Sequence, residues 1–555
     1  MNKRWWKEAV VYQIYPKSFY DSNHDGVGDI KGITAKLNYL QDLGVDVIWL
    51  SPVYESPMDD NGYDISDYYK IDDLFGTNEE MDELIREAKV RNIRIIMDLV
   101  INHSSDEHEW FKKAVEDKNS KYADYYIFKE GDGPNPPNNW RSIFGGSVWT
   151  RLDDGRYYMH TFAKKQPDLN WENKALREEL YKMVNYWLDK GLGGFRVDAI
   201  TYIKKDQTFK SLEPDRADGL ANPNELSQNF KGIDKFLLEL RHRTFDHYDC
   251  MTVAEAPGVP YDELGDYIGE DGYFDTIFDF SHTHVDANEN DEWFNRLDWT
   301  IDDFKKLLFE SQVETEKIGW GTVYLENHDQ PRSISKYLPK GHINFQSTTM
   351  LATMYFLMKG TPYIYQGQEI GMSNCVMDNI SEFDDIATHD QYKRALVAGL
   401  SELEALEAMN GRSRDNARTP FQWNDSVNAG FTEGIPWLKI NSNYKEVNAK
   451  SQINENNSVY AYYKKLIRLR KSSEYSDVIV YGNIEPYIEE EKDIIAYYRT
   501  LKGKRILVIS SFSSGPCAVK LEGNVKKVIL NNYDDFQCDG ENCELQGYQS
   551  VVLEI

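Results

Sequence analysis

Short apolar runs alternate with amphipathic stretches from residue 10 to about residue 370. The runs are five to eight residues long and rich in β-branched and aromatic residues, which is typical of buried strands. Stretches between them, such as NEEMDELIREAKVRN, have apolar residues at helical spacing. Eight runs occur, beginning at Val10, Val45, Ile93, Gly193, Met251, Thr276, Thr322 and Pro362. Eight parallel strands with intervening helices predict an α/β protein built on a closed (β/α)8 TIM barrel.

Two departures from this alternation predict further domains. About 65 residues separate the third strand from the next helix, against 2 to 6 in an ordinary loop of this kind. We therefore expect an inserted subdomain at 104–169, within a catalytic barrel formed by 1–103 and 170–477. From residue 478 the helical pattern stops, and runs such as IIAYYRTL and KRILVISSF predict a C-terminal antiparallel β-sandwich domain at 478–555.

Composition narrows the class of protein further. With 555 residues, 41% of them hydrophobic and 28% charged, the chain is expected to be a soluble globular protein, and no apolar run approaches membrane-spanning length. A net charge of −29 argues against binding to nucleic-acid phosphates or anionic membrane surfaces. Five scattered cysteines and no recognisable secretion signal indicate a cytoplasmic protein. We interpret Cys538 and Cys543, the only close pair, as free thiols in a loop.

Polar side chains cluster where the predicted strands end. Because a barrel of this kind carries its active site at the C-terminal ends of its strands, we expect these residues to meet at one rim. They are Asn102 and His103 after the third strand, Asp198 after the fourth, Glu255 after the fifth, His328 and Asp329 after the seventh, and Gln368 and Glu369 after the eighth.

Two of these carboxylates suit glycosidic cleavage with retention, which needs a nucleophile at the anomeric carbon and an acid for the departing oxygen. Most of the 92 acidic residues must be solvated surface charges, but Asp198 and Glu255 directly follow apolar strands. Arg196 lies two residues before Asp198, on the same side of the strand, and could hold that carboxylate ionised or form a structural salt bridge. Asp329 and His103 could hold sugar hydroxyls.

Seven ordered motifs then identify a resemblance over nearly the whole chain. They are GVDVIWLSP, DLVINH, QPDLN, GFRVDAI, TVAEAP, LENHD and GTPYIYQGQE. Together they resemble the α-amylase family of glycoside hydrolases, in its oligo-1,6-glucosidase and α-glucosidase branch. The resemblance implies Asp198 as nucleophile, Glu255 as acid/base and Asp329 as transition-state stabiliser. It also implies supporting or substrate-binding roles for Asp98, Arg196, His103 and His328.

Branch-level motifs imply an exo-acting enzyme. DDNGYD at 59–64 and RDNARTPFQW at 414–423 resemble those of exo-glucosidases, in which Asp60 and Arg414 would clasp the terminal glucose and Tyr63 would stack beneath it. A simple turn at DNGYD and a surface ion pair of Arg414 are the alternatives. Further residues expected to line the pocket, from the inserted subdomain, are Phe162, Gln166 and Asp168.

The segment DSNHDGVGD at 21–29 resembles the first part of a calcium loop. Its expected ligands are the side chains of Asp21, Asn23, Asp25 and Asp29 and the carbonyl of Val27. Gly32 stands where such loops carry a bidentate glutamate, and a plain turn is the alternative. The branch carries a similar loop that binds calcium or magnesium, so the resemblance implies a structural divalent cation. No organic cofactor is expected.

Substrate choice stays open within the branch. The residue after the nucleophile tends to be valine in α-1,6-preferring members and threonine in α-1,4-preferring ones, and here it is Ala199. We expect hydrolysis of terminal α-linked glucose in short oligosaccharides, isomaltose above all and also maltose or sucrose, by a monomeric enzyme. The alternatives are a sucrose isomerase or transglucosidase, a trehalose-6-phosphate hydrolase and a catalytically inactive barrel that serves as a partner protein.

Overall fold

The computed structural model describes residues 3–288 and 292–555. Within these residues there are 21 β-strands and 18 α-helices. The strands are β1 (Val11–Ile14), β2 (Val47–Leu50), β3 (Tyr54–Glu55), β4 (Asp67–Ile71), β5 (Arg94–Val100), β6 (Phe128–Glu130), β7 (Trp149–Arg151), β8 (Arg156–Met159), β9 (Gly194–Asp198), β10 (Met251–Glu255), β11 (Thr276–Phe278), β12 (Thr322–Val323), β13 (Thr361–Tyr365), β14 (Asn483–Tyr487), β15 (Ile494–Leu501), β16 (Lys504–Ser511), β17 (Cys517–Lys520), β18 (Lys527–Asn531), β19 (Gln537–Asp539), β20 (Asn542–Leu545) and β21 (Ser550–Glu554). The helices are α1 (Trp5–Glu8), α2 (Ile30–Ala35), α3 (Leu37–Leu43), α4 (Asn78–Val90), α5 (Glu109–Glu116), α6 (Lys174–Asp189), α7 (Asn224–Ser227), α8 (Asp234–Arg243), α9 (Leu264–Ile268), α10 (Ile301–Ile318), α11 (Ser333–Tyr337), α12 (Phe345–Phe356), α13 (Ile386–Val397), α14 (Glu402–Arg412), α15 (Asp415–Arg418), α16 (Ala449–Gln452), α17 (Val459–Ser472) and α18 (Ser476–Tyr481).

All eight predicted strands form, and they join one sheet in the order β11-β10-β9-β5-β2-β1-β13-β12. The pairs β5/β9, β9/β10, β10/β11, β1/β13 and β12/β13 are parallel. The predicted seventh strand is the shortest, since only Thr322 and Val323 of TVYLEN keep strand pairing. The eight runs therefore assemble into the eight-stranded parallel sheet that the sequence pattern predicts.

Backbone contacts divide the chain into two compact units, and the dividing point Ile48/Trp49 falls inside β2. Unit 1 comprises Met1–Ile48, Asp279–Asp384 and Gln391–Ile555, and unit 2 comprises Trp49–Phe278 and Asp385–Asp390. The domain boundaries drawn from the sequence remain predictions. Residues 1–2 and 289–291 of the predicted catalytic domain lie outside the described residues.

Unit 2 carries the strands β5, β9, β10 and β11. The helix α4 begins at a capping box in which Thr77 and Glu80 each bond the other's backbone amide, as its sequence favours. The segment predicted as an insertion contains the antiparallel sheet β6-β8-β7. A separate hydrophobic cluster that includes Trp140, Trp149 and Met159 packs in this part of the chain. The site residues of unit 2 are thus supported by a rigid parallel sheet and a second small core.

Unit 1 carries β1, β12, β13 and the C-terminal strands. These last strands form a five-stranded antiparallel sheet, β14-β15-β16-β21-β18, and a three-stranded one, β17-β20-β19. Alternate residues of both sheets, among them Leu507, Val519 and Leu553, fill a shared core.

The expectation of free thiols at the close cysteine pair is wrong. Cys538 and Cys543 form a disulfide, because they lie directly opposite each other in the β19–β20 hairpin with their Cα atoms 4.0 Å apart. The separation of the two cysteines by five positions in the sequence was not sufficient to predict that hairpin.

Helices that would be long and apolar enough to cross a bilayer are absent from the described part of the chain.

Candidate active site

Three strands of unit 2 bring the predicted catalytic carboxylates together. Asp98 lies near the end of β5, Asp198 is the last residue of β9, and Glu255 is the last residue of β10. Arg196 pairs in register with Asp98 on one neighbouring strand and with Val253 on the other. Because side chains alternate along a strand, Arg196 and Asp198 emerge on the same face. The parallel register thus gathers these groups at the C-terminal strand ends of unit 2.

The guanidinium of Arg196 contacts three carboxylates at once. Its Nη1 lies 2.8 Å from Asp98 Oδ1 and 2.6 Å from Asp198 Oδ1, and its Nη2 lies 2.8 Å from Glu255 Oε2. The Arg196 side chain is only 3% exposed, so these contacts are weakly screened by water. Arg196 is therefore the shared cation of the group and not the partner of Asp198 alone.

One cation cannot neutralise three carboxylates, and the pKa values of Asp198 and Asp98 reflect this. Burial raises the pKa of Asp198 above the ordinary range, Arg196 opposes the shift, and Glu255 and Asp98 add to it. Burial likewise raises the pKa of Asp98 to about 6, again against the effect of Arg196. Such a group of like charges favours retaining a proton among its members.

The two oxygens of Glu255 have different surroundings. Oε2 accepts from the Ala199 backbone N–H at 2.9 Å and contacts Arg196. Ala199 reaches this position with φ of 42°, in the left-handed region, directly after β9. Both of these donors contact Oε2, so Oε1 is the oxygen that is suited to carry a proton.

The predicted pocket residues of unit 2 surround this group. The Tyr63 hydroxyl donates to Asp98 Oδ2 at 2.8 Å, and Gln166 Nε2 donates to Asp60 Oδ2 at 3.0 Å. His103 Nε2 lies 3.1 Å from the Tyr63 carbonyl, and burial lowers the pKa of His103 to about 4, so its ring is neutral near pH 7. The Phe162 ring lies 5.3 Å from that of His103. Asp60, Tyr63, His103, Phe162 and Gln166 therefore belong to the same part of unit 2.

The sequence did not single out Lys205, a buried cation that holds one wall of this region. Its Nζ lies 3.0 Å from Asp168 Oδ2 and donates to Asn102 Oδ1 at 2.9 Å, and the side chain is 1% exposed. Asp168 also accepts from the Thr161 backbone N–H at 3.0 Å. Lys205 follows Asp198 by seven residues, where nothing in the local pattern distinguishes it from the neighbouring Lys204. Only the fold shows which of the two is buried.

Unit 1 holds the other predicted residues, which surround Asp329. Arg414 Nη1 lies 3.2 Å from Asp329 Oδ1, and His328 Nε2 lies 3.2 Å from Asp329 Oδ2. Gln13 Nε2 lies 2.8 Å from His328 Nδ1. An amide nitrogen can only donate, so Nδ1 accepts and the imidazole proton is on Nε2, facing Asp329. These contacts fix the orientation of the Asp329 carboxylate.

A second cation at Asp329, Arg418, was also missed. Its Nη2 lies 2.9 Å from Asp329 Oδ1, and its Nε donates to the His328 carbonyl at 3.0 Å. Arg418 stands inside the RDNARTPFQW motif, so its position in the motif was a usable signal. The charge of Asp329 is thus balanced by Arg414 and Arg418, whereas Asp198 and Glu255 share a single arginine.

The predicted metal loop adopts a turn built from its own polar side chains. Asp21 Oδ1 accepts from the Asn23 and His24 N–H groups at 3.0 and 2.7 Å, and its Oδ2 accepts from Gly26 at 2.8 Å. Asp29 caps α2 through Gly32. No three histidine, cysteine or acidic side chains converge as a metal cluster in the described ranges. The candidate metal ligands are all oxygens, which fits a hard cation such as calcium or magnesium. Each oxygen of Asp21 already accepts two hydrogen bonds, since Oδ2 also accepts from the Thr432 hydroxyl, so a bound ion would replace some of these contacts.

Comparisons with known proteins agree with this fold and site. The family model for the alpha amylase catalytic domain matches residues 13–482, and that for the alpha-amylase SusG C-terminal domain matches residues 494–552. The chain therefore belongs to the α-amylase family, and it is a glycoside hydrolase. The predicted fold class, a (β/α)8 barrel followed by antiparallel β-sheets, is confirmed.

Full-length relatives narrow the position within the family. The chain is 44% identical to an oligo-1,6-glucosidase of Bacillus cereus over 100% of both chains. It matches the crystal structure of a trehalose-6-phosphate hydrolase of Bacillus licheniformis with a TM-score of 0.92 and 41% identity, over 100% of both chains. It also matches an isomaltulose synthase of Erwinia rhapontici NX5 with a TM-score of 0.95 and 39% identity, over 100% of this chain and 99% of that one.

Proposed function

We propose that the protein is an exo-acting, retaining oligo-1,6-glucosidase that releases terminal α-linked glucose from isomaltose and isomaltooligosaccharides. The observation that carries the proposal is the single guanidinium of Arg196 joining Asp98, Asp198 and Glu255. Asp198 and Glu255 contact neighbouring nitrogens of that group, which is compatible with the separation of about 5 Å that retaining enzymes use. Similarity to a full-length oligo-1,6-glucosidase supports the substrate class.

In the first step Asp198 attacks the anomeric carbon of the terminal glucose while Glu255 protonates the departing glycosidic oxygen. The bond from C1 to that oxygen breaks, and a covalent glucosyl ester of Asp198 forms. In the second step Glu255, now ionised, takes a proton from water, which attacks C1 and releases Asp198. This mechanism requires the proton on Glu255 and an ionised Asp198, and the Glu255 oxygen Oε1, which accepts from neither Arg196 nor the Ala199 N–H, is the one that would carry the proton.

The remaining residues would bind and orient the terminal sugar. Asp60 is held by Gln166, and Tyr63 is anchored on Asp98, so both are fixed before substrate arrives. Asp329, oriented by His328 and Arg414, would hold sugar hydroxyls as the ring flattens toward an oxocarbenium ion. Binding of this kind favours a chain end over the middle of a polymer.

The substrate proposal is tested by incubating the protein separately with isomaltose, maltose, sucrose and trehalose 6-phosphate and identifying the products by NMR. We expect the highest kcat/KM with isomaltose and glucose as the only product. Trehalose 6-phosphate as the best substrate would instead identify a trehalose-6-phosphate hydrolase. Conversion of sucrose to an isomer without free glucose would identify a sucrose isomerase, and no turnover of any of the four would support the inactive-partner alternative.

We also propose that the loop at 21–29 holds a structural calcium or magnesium ion. Asp21 and Asp29 are 1% and 5% exposed, and among the described residues no lysine or arginine forms an ion pair with either of them. Hydrogen bonds from N–H and O–H groups compensate these two carboxylates in part, and a bound divalent ion would compensate their charge directly. The ligands would be Asp21, Asn23, Asp25, the Val27 carbonyl and Asp29.

Metal removal is expected to lower the melting temperature by several degrees, because an ion that binds only the folded protein stabilises it. The measurement is differential scanning calorimetry with metal analysis, before and after chelation and after calcium is restored. The Asp25→Asn variant should lose most of the bound metal and most of the chelator response, whereas Asp153→Asn, at an exposed position, should behave as wild type. Unchanged metal content and melting temperature after chelation would rule the site out.

A cytoplasmic location and a monomeric state remain predictions from the sequence. Cell fractionation and light scattering of the purified protein measure them directly.

A further inference from the structure

Two neighbours of the His103 ring determine which of its nitrogens carries the proton. Nε2 lies 3.1 Å from the Tyr63 carbonyl oxygen, and Nδ1 lies 3.1 Å from Nδ2 of Asn102. A carbonyl oxygen can only accept and an amide nitrogen can only donate, so Nε2 carries the proton and Nδ1 accepts. Because His103 is only 2% exposed, bulk water hardly competes for either nitrogen. The neighbours of His103 thus select one neutral tautomer.

That selection depends on the orientation of the Asn102 amide, which has two possible settings half a turn apart. Lys205 Nζ lies 2.9 Å from the other terminal atom of this amide. An ammonium group has no acceptor, so the atom that faces it must be the oxygen Oδ1, and the amide nitrogen then faces His103. Asp168 supports the same orientation, since its Oδ1 accepts from Asn102 Nδ2 at 3.3 Å. Lys205 therefore acts on His103 through Asn102.

The charges of this network are buried and balanced. Lys205 and Asp168 form an ion pair, with Nζ 3.0 Å from Oδ2, and their side chains are 1% and 0% exposed. They are the two charged groups that act on the His103 ring. Burial lowers the pKa of His103 to about 4, Asp168 opposes this shift, and Lys205 adds to it. The other neighbours of the ring present the Phe162 side chain at 5.3 Å and the Tyr63 backbone carbonyl.

We propose that Lys205 is a positioning residue that holds the ring proton of His103 on Nε2 by orienting the Asn102 amide. Lys205 lies on the segment after β9, which ends at Asp198, whereas His103 lies on the segment after β5. The contact therefore links the segments that follow two neighbouring strands. In the proposed reaction this Nε2–H is the donor that His103 would offer to a sugar hydroxyl, so the kinetic consequence rests on the proposed function.

Removal of Lys205 should change the charge of the His103 ring. Without the ammonium group the amide can turn, and both ring nitrogens then face acceptors, the Asn102 oxygen and the Tyr63 carbonyl. A ring between two acceptors is stabilised as an imidazolium, which carries an N–H on each nitrogen. The buried carboxylate of Asp168, left without its cation, favours the same protonation. We therefore expect Lys205→Met to raise the pKa of His103 to the ordinary value of a histidine or above it.

The test follows the His103 ring by ¹⁵N NMR of the full-length protein labelled at its histidines, with the His103 signals assigned from the His103→Gln spectrum. A neutral ring has one protonated nitrogen, and an imidazolium has two. At about pH 6 the wild-type ring should be neutral with its proton on Nε2, whereas the ring in Lys205→Met should be mostly imidazolium. Lys204→Met is the matched control, because Lys204 pairs with Glu172 and should leave these signals unchanged.

Kinetics on isomaltose distinguish positioning from a merely structural role. The neutral ring is the active form, so activity should be lost as the pH falls through the raised pKa of His103. Between about pH 8 and about pH 6, kcat/KM of Lys205→Met should fall severalfold more than that of wild type or Lys204→Met. A structural defect alone would lower kcat/KM by the same factor at every pH.

Should Lys205→Met fail to fold, Asn102→Asp gives the same information, because a carboxylate of the same shape presents an oxygen to His103 Nδ1 in either orientation. A ring that stays neutral with its proton on Nε2 in a folded variant would overturn the proposal. So would a wild-type ring with its proton on Nδ1. If the NMR results are as expected and wild type does not turn over isomaltose, the proposed function fails and the positioning role of Lys205 stands.

Discussion

The Asp198→Asn variant is expected to lose at least about 10⁴-fold in kcat on isomaltose, because an amide cannot attack the anomeric carbon and no other group can replace it. The same variant should melt at the wild-type temperature or above it. Burial and two neighbouring carboxylates raise the pKa of Asp198, so its ionised form is unfavourable in the folded protein. The measurements are steady-state kinetics and calorimetry on the same preparation.

The matched control is Asp153→Asn, which removes one carboxylate from an exposed position and should leave kcat unchanged. Activity of Asp198→Asn within tenfold of wild type would remove Asp198 from the role of nucleophile. A strongly lowered melting temperature would instead mean that Asp198 is needed for the fold.

For Glu255→Gln we expect a loss of about 10² to 10⁴ in kcat/KM on isomaltose, the usual range for a lost general acid. An aryl α-glucoside with an acidic phenol as leaving group should lose far less in kcat/KM. Its departing oxygen needs no proton, and kcat/KM reports the first chemical step. Gln retains an oxygen that can accept from Arg196 and Ala199, so the site should keep its geometry.

Added azide extends this test to the second step. Azide attacks the glucosyl ester without a general base. It should therefore raise kcat of Glu255→Gln on the aryl substrate and give an α-glucosyl azide. Equal losses on isomaltose and on the aryl glucoside, with no effect of azide, would exclude Glu255 as the acid/base. Glu263→Gln, a change in an exposed residue of the same segment, provides the matched control.

The sequence was sufficient to predict the central sheet, because every strand of a parallel barrel is buried and therefore consists of a run of apolar residues. Register then fixed the placement of Asp98, Arg196, Asp198 and Glu255, since each lies at or within two residues of the C-terminal end of β5, β9 or β10. The seventh run predicted more strand than forms, since only Thr322 and Val323 of TVYLEN pair in the sheet.

What the sequence could not predict depends on contacts between distant segments. Spacing placed Arg196 beside Asp198, but only the fold brings Asp98 and Glu255 onto the same guanidinium. Lys205 looks like a surface lysine until Asp168 is brought to it from the segment before α6. The cross-strand disulfide between Cys538 and Cys543 required a hairpin that the four intervening residues do not specify.

The central claim is a double displacement at the anomeric carbon of a terminal glucose, and its most direct test is the anomer first released. Isomaltose is added to the enzyme, and the anomeric protons of the product are followed by NMR before mutarotation. Two inversions at one carbon predict that the terminal glucose is released as the α-anomer, so the product first contains more α-glucose than at equilibrium, although the reducing-end glucose contributes both anomers. An initial excess of β-glucose over its equilibrium share would contradict the double displacement and the assignment of Asp198 as its nucleophile.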